Sequence, residues 1–393
     1  MKSAIAITTE LDDVAIAVDE LCASISVKLP DLREGVGLLF CDADLDGAAV
    51  TGELKKRLGI DVAGMTTLAA LAPQGRQDLS AVLLVLSTDG ECRVSATASG
   101  ALDKDDYADQ IRASFRKVAP GDGGKGLVFI LGAYGMSFPG DTYASLLAEV
   151  APGIPLMGGI ASDDYDYDRA RVFLSGEEYQ TSMVCVGLAG DIAPLFAIHH
   201  TTSRFAERIR RVTRAEGNVV YEVGDENFIE YLKSFGLNVD VDDPLLAFTS
   251  YPMMFTRGQG SGTAVMRHLA ALNHDDGAGI FLGNVPQGAL ANICLINKNN
   301  LADSCRASLQ SLLRRASEHP EHKYSSVICI SCCGRATILG PDGQLEGQII
   351  NELLPDDVNL AGAYCLGEFC PSEIDQHGAT NDFHNCSITF CML

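Results

Sequence analysis

Ser331-Cys332-Cys333-Gly334-Arg335, followed by Glu346, by Gly362-Ala363-Tyr364-Cys365-Leu366-Gly367-Glu368, by Pro371 and by His384-Asn385, decides how the chain is read. The apolar run Val327-Ile328-Cys329-Ile330 leads straight into it. That pattern predicts a buried strand whose carboxyl end turns at Cys332-Cys333-Gly334 and presents Arg335. The Gly362–Glu368 run reads as a second strand ending in a carboxylate. An Arg and a Glu on neighbouring strand ends in a cleft suit a small ligand with an amine and a carboxylate. On residue types alone a structural ion pair closing the rim of a sheet is the commoner use of the same two charges.

Working outward, 393 residues exceed what one core usually supports, and 47% hydrophobic against 21% charged residues is the balance of a globular chain. No apolar run is long enough to span a bilayer, and Met1-Lys2-Ser3 does not begin a secretory leader, so a soluble, cytoplasmic protein is expected. A net charge of -23 repels phosphate, which argues against nucleic acid and anionic membrane as partners. The clusters Arg208-Ile209-Arg210-Arg211 and Arg314-Arg315 read as solvated faces. Thirteen cysteines, many inside apolar runs as at Cys185, Cys294 and Cys329, read as buried thiols of a reducing compartment, not as a disulfide framework.

The order of elements predicts the α/β class, with two lobes of mixed β-sheet and flanking helices. Apolar strand patterns fall at Gly35–Phe40, Ala81–Leu86 and Leu127–Leu131, and helical periodicity at Gly47–Leu58, Asp103–Val118 and Leu301–Ser317. Ala81–Leu86 and Cys92–Ala98 read as a hairpin around Asp89-Gly90, and Thr263–Leu272 as one strand paired with Ala278–Leu282. The division falls at 223/224, giving domains 1–223 and 224–393, with no linker composition to mark it. No internal repeat is visible.

The order Cys-x-Arg after an apolar strand, a later Glu, Gly-x-Tyr-x-x-Gly-Glu-x-x-Pro and a late His-Asn resembles the C-terminal half of FIST-domain proteins, sensory modules found alone or joined to signalling outputs. Gly158-Gly159-Ile160-Ala161 is similar to the Gly-Gly-x-Ala motif of FIST N domains, and Asn218–Val223 to that domain's closing strands. The family's Cys-Ser-Thr-x-Gly-Glu run is replaced here by Gly64-Met65-Thr66-Thr67-Leu68-Ala69. The resemblance, which runs from about Gly35 onward, implies domains of FIST N and FIST C type. It also implies a sensory protein that binds a small, amino-acid-like molecule and regulates a partner such as a histidine kinase. Arg335, Glu368 and Tyr364, supported by Asn385, are the contacts expected. On this reading Arg335→Ala removes ligand-induced stabilisation and leaves the fold intact.

Other motifs compete. Some FIST-domain proteins are haem-binding nitric-oxide sensors, and His199-His200 ends the apolar run Leu195-Phe196-Ala197-Ile198 near Phe205, which makes these imidazoles the candidates for haem. Asp42, Asp44 and Asp46, then Gly47 and Glu53, match the spacing of a calcium loop, but a strand precedes them where an entering helix is required. Helix capping by Asp44 or Asp46 is the alternative. Asp163-Asp164-Tyr165-Asp166-Tyr167-Asp168 reads as a solvated turn at a cleft lip. Gly121–Gly126 lacks the Ser or Thr that a phosphate loop needs after Lys125, and Gly258–Gly262 lacks a nucleophile-elbow register. A cysteine-dependent enzyme or redox protein using Cys332 or Cys370 is the reading from another class, and it requires a thiol of lowered pKa.

Overall fold

The computed structural model describes residues 1–121, 124–133, 140–164, 168–200, 209–256 and 264–393. Among these, the strands form three six-stranded sheets and one eight-stranded sheet, flanked by helices. The chain is α/β with mixed sheets. The apolar runs are explained by burial on both faces. Along Gly35–Cys41, Val36, Leu38 and Phe40 enter a core shared by three sheets, while Leu39 and Cys41 face the helices Val14–Lys28 and Gly47–Leu58. Leu127, Phe129 and Leu131 enter the same shared core, and Val128 and Ile130 meet the helices Tyr107–Val118 and Asp141–Val150. Ile328 and Ile330 do likewise, with Val327 and Cys329 beneath Lys298–Ser317 and Leu345–Leu353. A strand covered on both sides carries no polar alternation.

Each six-stranded sheet is built on a parallel pair: Gly35–Cys41 with Asp61–Thr66, Gly126–Gly132 with Leu156–Ile160, and Ser326–Cys332 with Asn359–Cys365. Ala81–Ser87, Met183–Gly190 and Ile388–Met392 lie antiparallel against the first member of each. The hairpin that follows each pair leaves its own sheet. Ala70–Ala72 and Gly75–Gln77 join Asn359–Cys365; Val172–Leu174 and Glu177–Tyr179 join Asp61–Thr66; Glu368–Asp375 and Gly378–His384 join Leu156–Ile160. The body is therefore three similar units exchanging hairpins in a ring, a repeat that the residue types conceal. It takes strands from both sides of the 223/224 position. The eight-stranded sheet, from Arg210–Glu216 to Leu290–Ile293, is inserted in the third unit.

Four local expectations are corrected. Ala81–Ser87 has both edges occupied, by Lys2–Thr8 and Gly35–Cys41, so Cys92–Ala98 pairs with Met183–Gly190 in another sheet. The run after Gly362 breaks at Leu366-Gly367, and Glu368 opens the exchanged hairpin. Within Thr263–Leu272, Thr263 lies outside the described residues, and the rest is two strands, Ala264–Arg267 and Leu269–Asn273, interrupted at His268 because each serves a different neighbour. Cys333–Leu339 is a helix, so Arg335 sits in a first helical turn.

Gly158 marks a close backbone approach within the parallel pair Gly126–Gly132 and Leu156–Ile160. Its φ is +142°, and a Cβ there would fall 1.9 Å from the Ile130 carbonyl oxygen. Gly158→Ala is expected to lower stability by about 3 kcal/mol through backbone strain and overpacking. Gly90→Ala, at φ +83° with open space around it, should cost about 1 kcal/mol. Urea midpoints of the two variants measure the difference, and equal losses would remove the packing explanation.

Candidate ligand-binding site

The carboxyl ends of the three parallel pairs are laced together. Ser162 N donates to Thr66 O at 3.2 Å, Leu366 N to Ile160 O at 3.0 Å, and Tyr364 N to Ala69 O at 2.9 Å. Two hydroxyls, Ser162 Oγ and Thr67 Oγ1, donate to the Tyr364 carbonyl at 2.7 and 2.6 Å. Carboxyl ends of parallel strands are where α/β sheets gather ligands, because loops and helix starts diverge there and leave a crevice.

Directly below lies a buried ion pair. Arg335 donates through Nε and Nη2 to Glu346 Oε1, at 2.8 and 2.5 Å, and through Nη2 to Ser304 Oγ and Leu301 O, at 3.0 and 3.1 Å. Glu346 Oε2 accepts from Ser331 Oγ at 3.0 Å and from Tyr364 OH at 2.9 Å. Burial opposes the guanidinium charge, but the Glu346 carboxylate outweighs it and raises the Arg335 pKa. The structure thus brings Arg335 and Tyr364 together through Glu346, not through Glu368.

Glu368 stands apart. Its Oε2 accepts from Ser387 Oγ at 2.5 Å and Ser387 N at 3.3 Å, while Oε1 has no partner among the described residues. Burial pushes this carboxyl up to about 8, against the hydrogen bonds from Ser387 and Cys332. Burial thus favours its neutral form. Asn385 Nδ2 donates to the His384 carbonyl at 3.1 Å, and its Oδ1 is unpartnered among the described residues. Arg335, Tyr364, Glu368 and Asn385 are each 0% exposed. They lie beneath the surface of the crevice.

The crevice itself is a cavity of about 520 Å³. Leu68 and Arg76 come from the first exchanged hairpin and its approach, and Cys332, Cys333 and Thr337 from the strand-to-helix junction. Leu245, Leu246, His268 and Leu282 come from the inserted lobe. The Arg76 guanidinium lies 5.5 Å from the Tyr364 ring centroid and pairs with Asp78 at 2.7 Å. His268 is buried, and burial lowers its pKa to about 4. The sequence reading missed His268 because it sits inside an apolar strand pattern; the only signal is the polar pair Arg267-His268 interrupting that run. Arg267 is likewise buried and pins the lobe to the body, donating to Asp141 Oδ1 at 2.6 Å and to the Phe383 carbonyl at 2.8 Å.

The remaining candidates are dispersed. Asp46 caps the helix Gly47–Leu58 through Ala49 N, Asp42 accepts from Asp44 N, Asp44 pairs with Arg169, and Glu53 pairs with Lys56. Among the described residues no group of three or more His, Cys, Asp or Glu side chains is placed to hold a metal ion. His199 is exposed at the end of an edge strand, beside a polar groove that includes Ser308, Arg315 and Glu373. His200 packs on His384 with centroids 5.1 Å apart. Phe205, Arg208, Tyr165–Tyr167, Asp122, Gly123 and Gly258–Gly262 lie outside the described residues. All thirteen cysteines are buried outside disulfides. Burial pushes the Cys332 and Cys370 thiols up, the opposite of what a nucleophilic thiol needs.

Comparison with known families matches a FIST N domain to residues 35–226 and a FIST C domain to residues 228–371. No curated protein matches the chain. Among solved structures, the chain is similar to a cyanuric acid hydrolase from A. caulinodans, at 10% identity over 49% of this chain and 71% of that one, with a TM-score of 0.26.

Two outcomes follow from the buried groups. Arg335→Ala leaves Glu346 unpaired and is expected to cost about 3–5 kcal/mol, whereas Arg335→Met with Glu346→Leu should recover most of it. Urea denaturation decides, and a loss under about 1 kcal/mol for Arg335→Ala would rule out the pair as a structural anchor. Glu368 titrates near 8 when folded, above its ordinary 4.5, so its contribution is complete below pH 4.5 and is lost as pH rises through about 8. His268 and His384, lowered to about 4 and about 3, act oppositely: their contributions hold above 6.5 and fade as pH falls. Glu368→Gln should therefore flatten only the alkaline limb of stability measured from about pH 5 to about pH 9; an unchanged alkaline limb would contradict the assignment.

Proposed function

Because the chain belongs to the FIST-domain family, with FIST N and FIST C domains in succession, we propose that it is a sensory protein whose cavity at the three strand ends binds a small molecule. Binding would pass a conformational change to a signalling partner such as a histidine kinase. FIST domains are associated with signal-transduction sensing and small-ligand binding. The observation that carries this reading is the composition of the cavity wall. It draws Leu68 and Arg76 from the FIST N side and His268, Leu282 and Cys332 from the FIST C side. A molecule seated there touches both the three-sheet body and the inserted lobe.

The route to an output starts at adjacent residues. His268 faces the cavity, and Arg267 holds Asp141 at the start of a body helix. Asp141 also accepts from Asn284 N of the inserted lobe, at 2.7 Å. A ligand that fits one spacing of lobe and body better than another shifts the balance between the two, and can do so only through that difference in affinity. Arg335, Tyr364, Glu368 and Asn385 act in this reading as positioning residues beneath the ligand. A cytoplasmic location is part of the proposal, supported by the buried thiols. No helix among the described residues is long and apolar enough to cross a membrane.

A thermal-shift screen of metabolites tests the reading. A ligand at about 100 times its Kd adds about 2.7 kcal/mol to stability. Leu282→Trp, which fills the cavity from the lobe side, should abolish that gain, and hydrogen exchange should slow at both Asp141–Val150 and the segment around His268 when ligand is bound. Full stabilisation in Leu282→Trp would place the ligand elsewhere.

A further inference from the structure

Resting on the reading of this cavity as the sensory site, we propose that it takes an uncharged, mainly apolar small molecule with one hydrogen-bonding group, held by His268 Nε2 against the Cys332–Gly334 junction. His268 is 2% exposed, and its Nε2 has no hydrogen-bond partner among the described residues although it lies on the cavity wall. A buried nitrogen with nothing to bond is costly, so a ligand group that pairs with it gains more than it would in water. Gly334 places no side chain against this buried nitrogen: a Cβ there would sit 2.8 Å from Nε2.

The rest of the wall selects against charge. Arg76 and Asp243 are the ionised side chains among the described lining residues, and both are occupied. Arg76 pairs with Asp78, and Asp243 accepts from Leu246 N at 3.0 Å as a helix cap. A free amino acid would bring two charges to a wall whose two charged groups are each already engaged with another partner. An apolar body instead meets Leu68, Leu245, Leu282 and Leu366, and covers Leu246, which is 62% exposed. The imidazole, lowered by burial, is neutral at pH 7 and can donate or accept according to its tautomer. A volume of about 520 Å³ accommodates a molecule of two or three rings.

N-phenyl-1-naphthylamine, uncharged and with a single N–H, serves as the probe, because its fluorescence rises on leaving water. Titrated into the full chain, it should bind saturably. His268→Phe, which keeps the ring and deletes the nitrogens, should weaken it by about tenfold, and His268→Gln should restore binding to within about threefold of wild type. Leu246→Asp, at an exposed position, should weaken it as well. If His268→Phe fails to fold, Gly334→Ala, which covers Nε2 with a methyl group, should give the same loss. Probe affinity unchanged by these substitutions overturns the role of His268. Stabilisation by free amino acids, lost in Leu282→Trp and accompanied by no probe binding, overturns the ligand class while leaving the sensory reading intact. Probe binding that survives Leu282→Trp overturns the cavity as the site of both.

Discussion

The buried pair of Arg335 and Glu346 is the constraint on which the site depends. Two full charges removed from water are tolerable only when most of their hydrogen-bond partners are in place; of the Arg335 nitrogens, Nη1 alone has none among the described residues. Here the partners come from five elements: Leu301 and Ser304 from one helix, Arg335 and Glu346 from two others, and Ser331 and Tyr364 from neighbouring strands. Satisfying one pair therefore fixes the helix Lys298–Ser317, the strand ends and the first turn of Cys333–Leu339 at once. The cavity floor inherits that rigidity.

Around this anchor the three-unit ring explains why the crevice exists. Each unit sends its parallel strands toward the same junction, and the hydrogen bonds of Ser162 to Thr66, Leu366 to Ile160 and Tyr364 to Ala69 close it. The inserted lobe then stands over one sector of the ring through Arg267, Asp141 and Asn284. Body and lobe meet through these directional contacts and through a buried apolar cluster that joins Met266 and Ile296 to Leu301, Leu339 and Cys386.

Much of this was legible in the residues, and the failures have physical causes. Gly35–Phe40, Ala81–Leu86, Leu127–Leu131 and Val327–Ile330 were readable as strands because burial on both faces leaves continuous apolar runs. Gly47–Leu58 was readable because Asp46 and Gly59 punctuate it. Pairing was not readable. Local proximity of Ala81–Leu86 and Cys92–Ala98 suggested a hairpin, but which edge is free depends on strands from elsewhere. The same limit hid the exchange of hairpins, since a strand's alternation says that it is covered and not by what. At the site, Arg335 and a buried carboxylate were both in view, but the choice between Glu346 and Glu368 rests on helix geometry after Cys332. His268 carried almost no signal, because a polar pair in an apolar run reads equally as satisfied core residues.

The exchanged hairpins have a consequence for how the chain is made. The first unit's edge, Asp61–Thr66, is covered by Val172–Leu174, and the second unit's edge, Leu156–Ile160, by Glu368–Asp375. The hairpin at Ala70–Gln77 waits for Asn359–Cys365. As the polypeptide emerges from the ribosome, no unit can close its own sheet: the Asp61–Thr66 edge waits for the second unit, and the Leu156–Ile160 edge and the Ala70–Gln77 hairpin wait for the third. Sequence-distant pairing of this kind folds slowly and leaves apolar strands open to misassociation. The ring therefore ties folding of the FIST N half to translation of the FIST C half, and a nascent chain stalled between them would depend on chaperones to stay soluble.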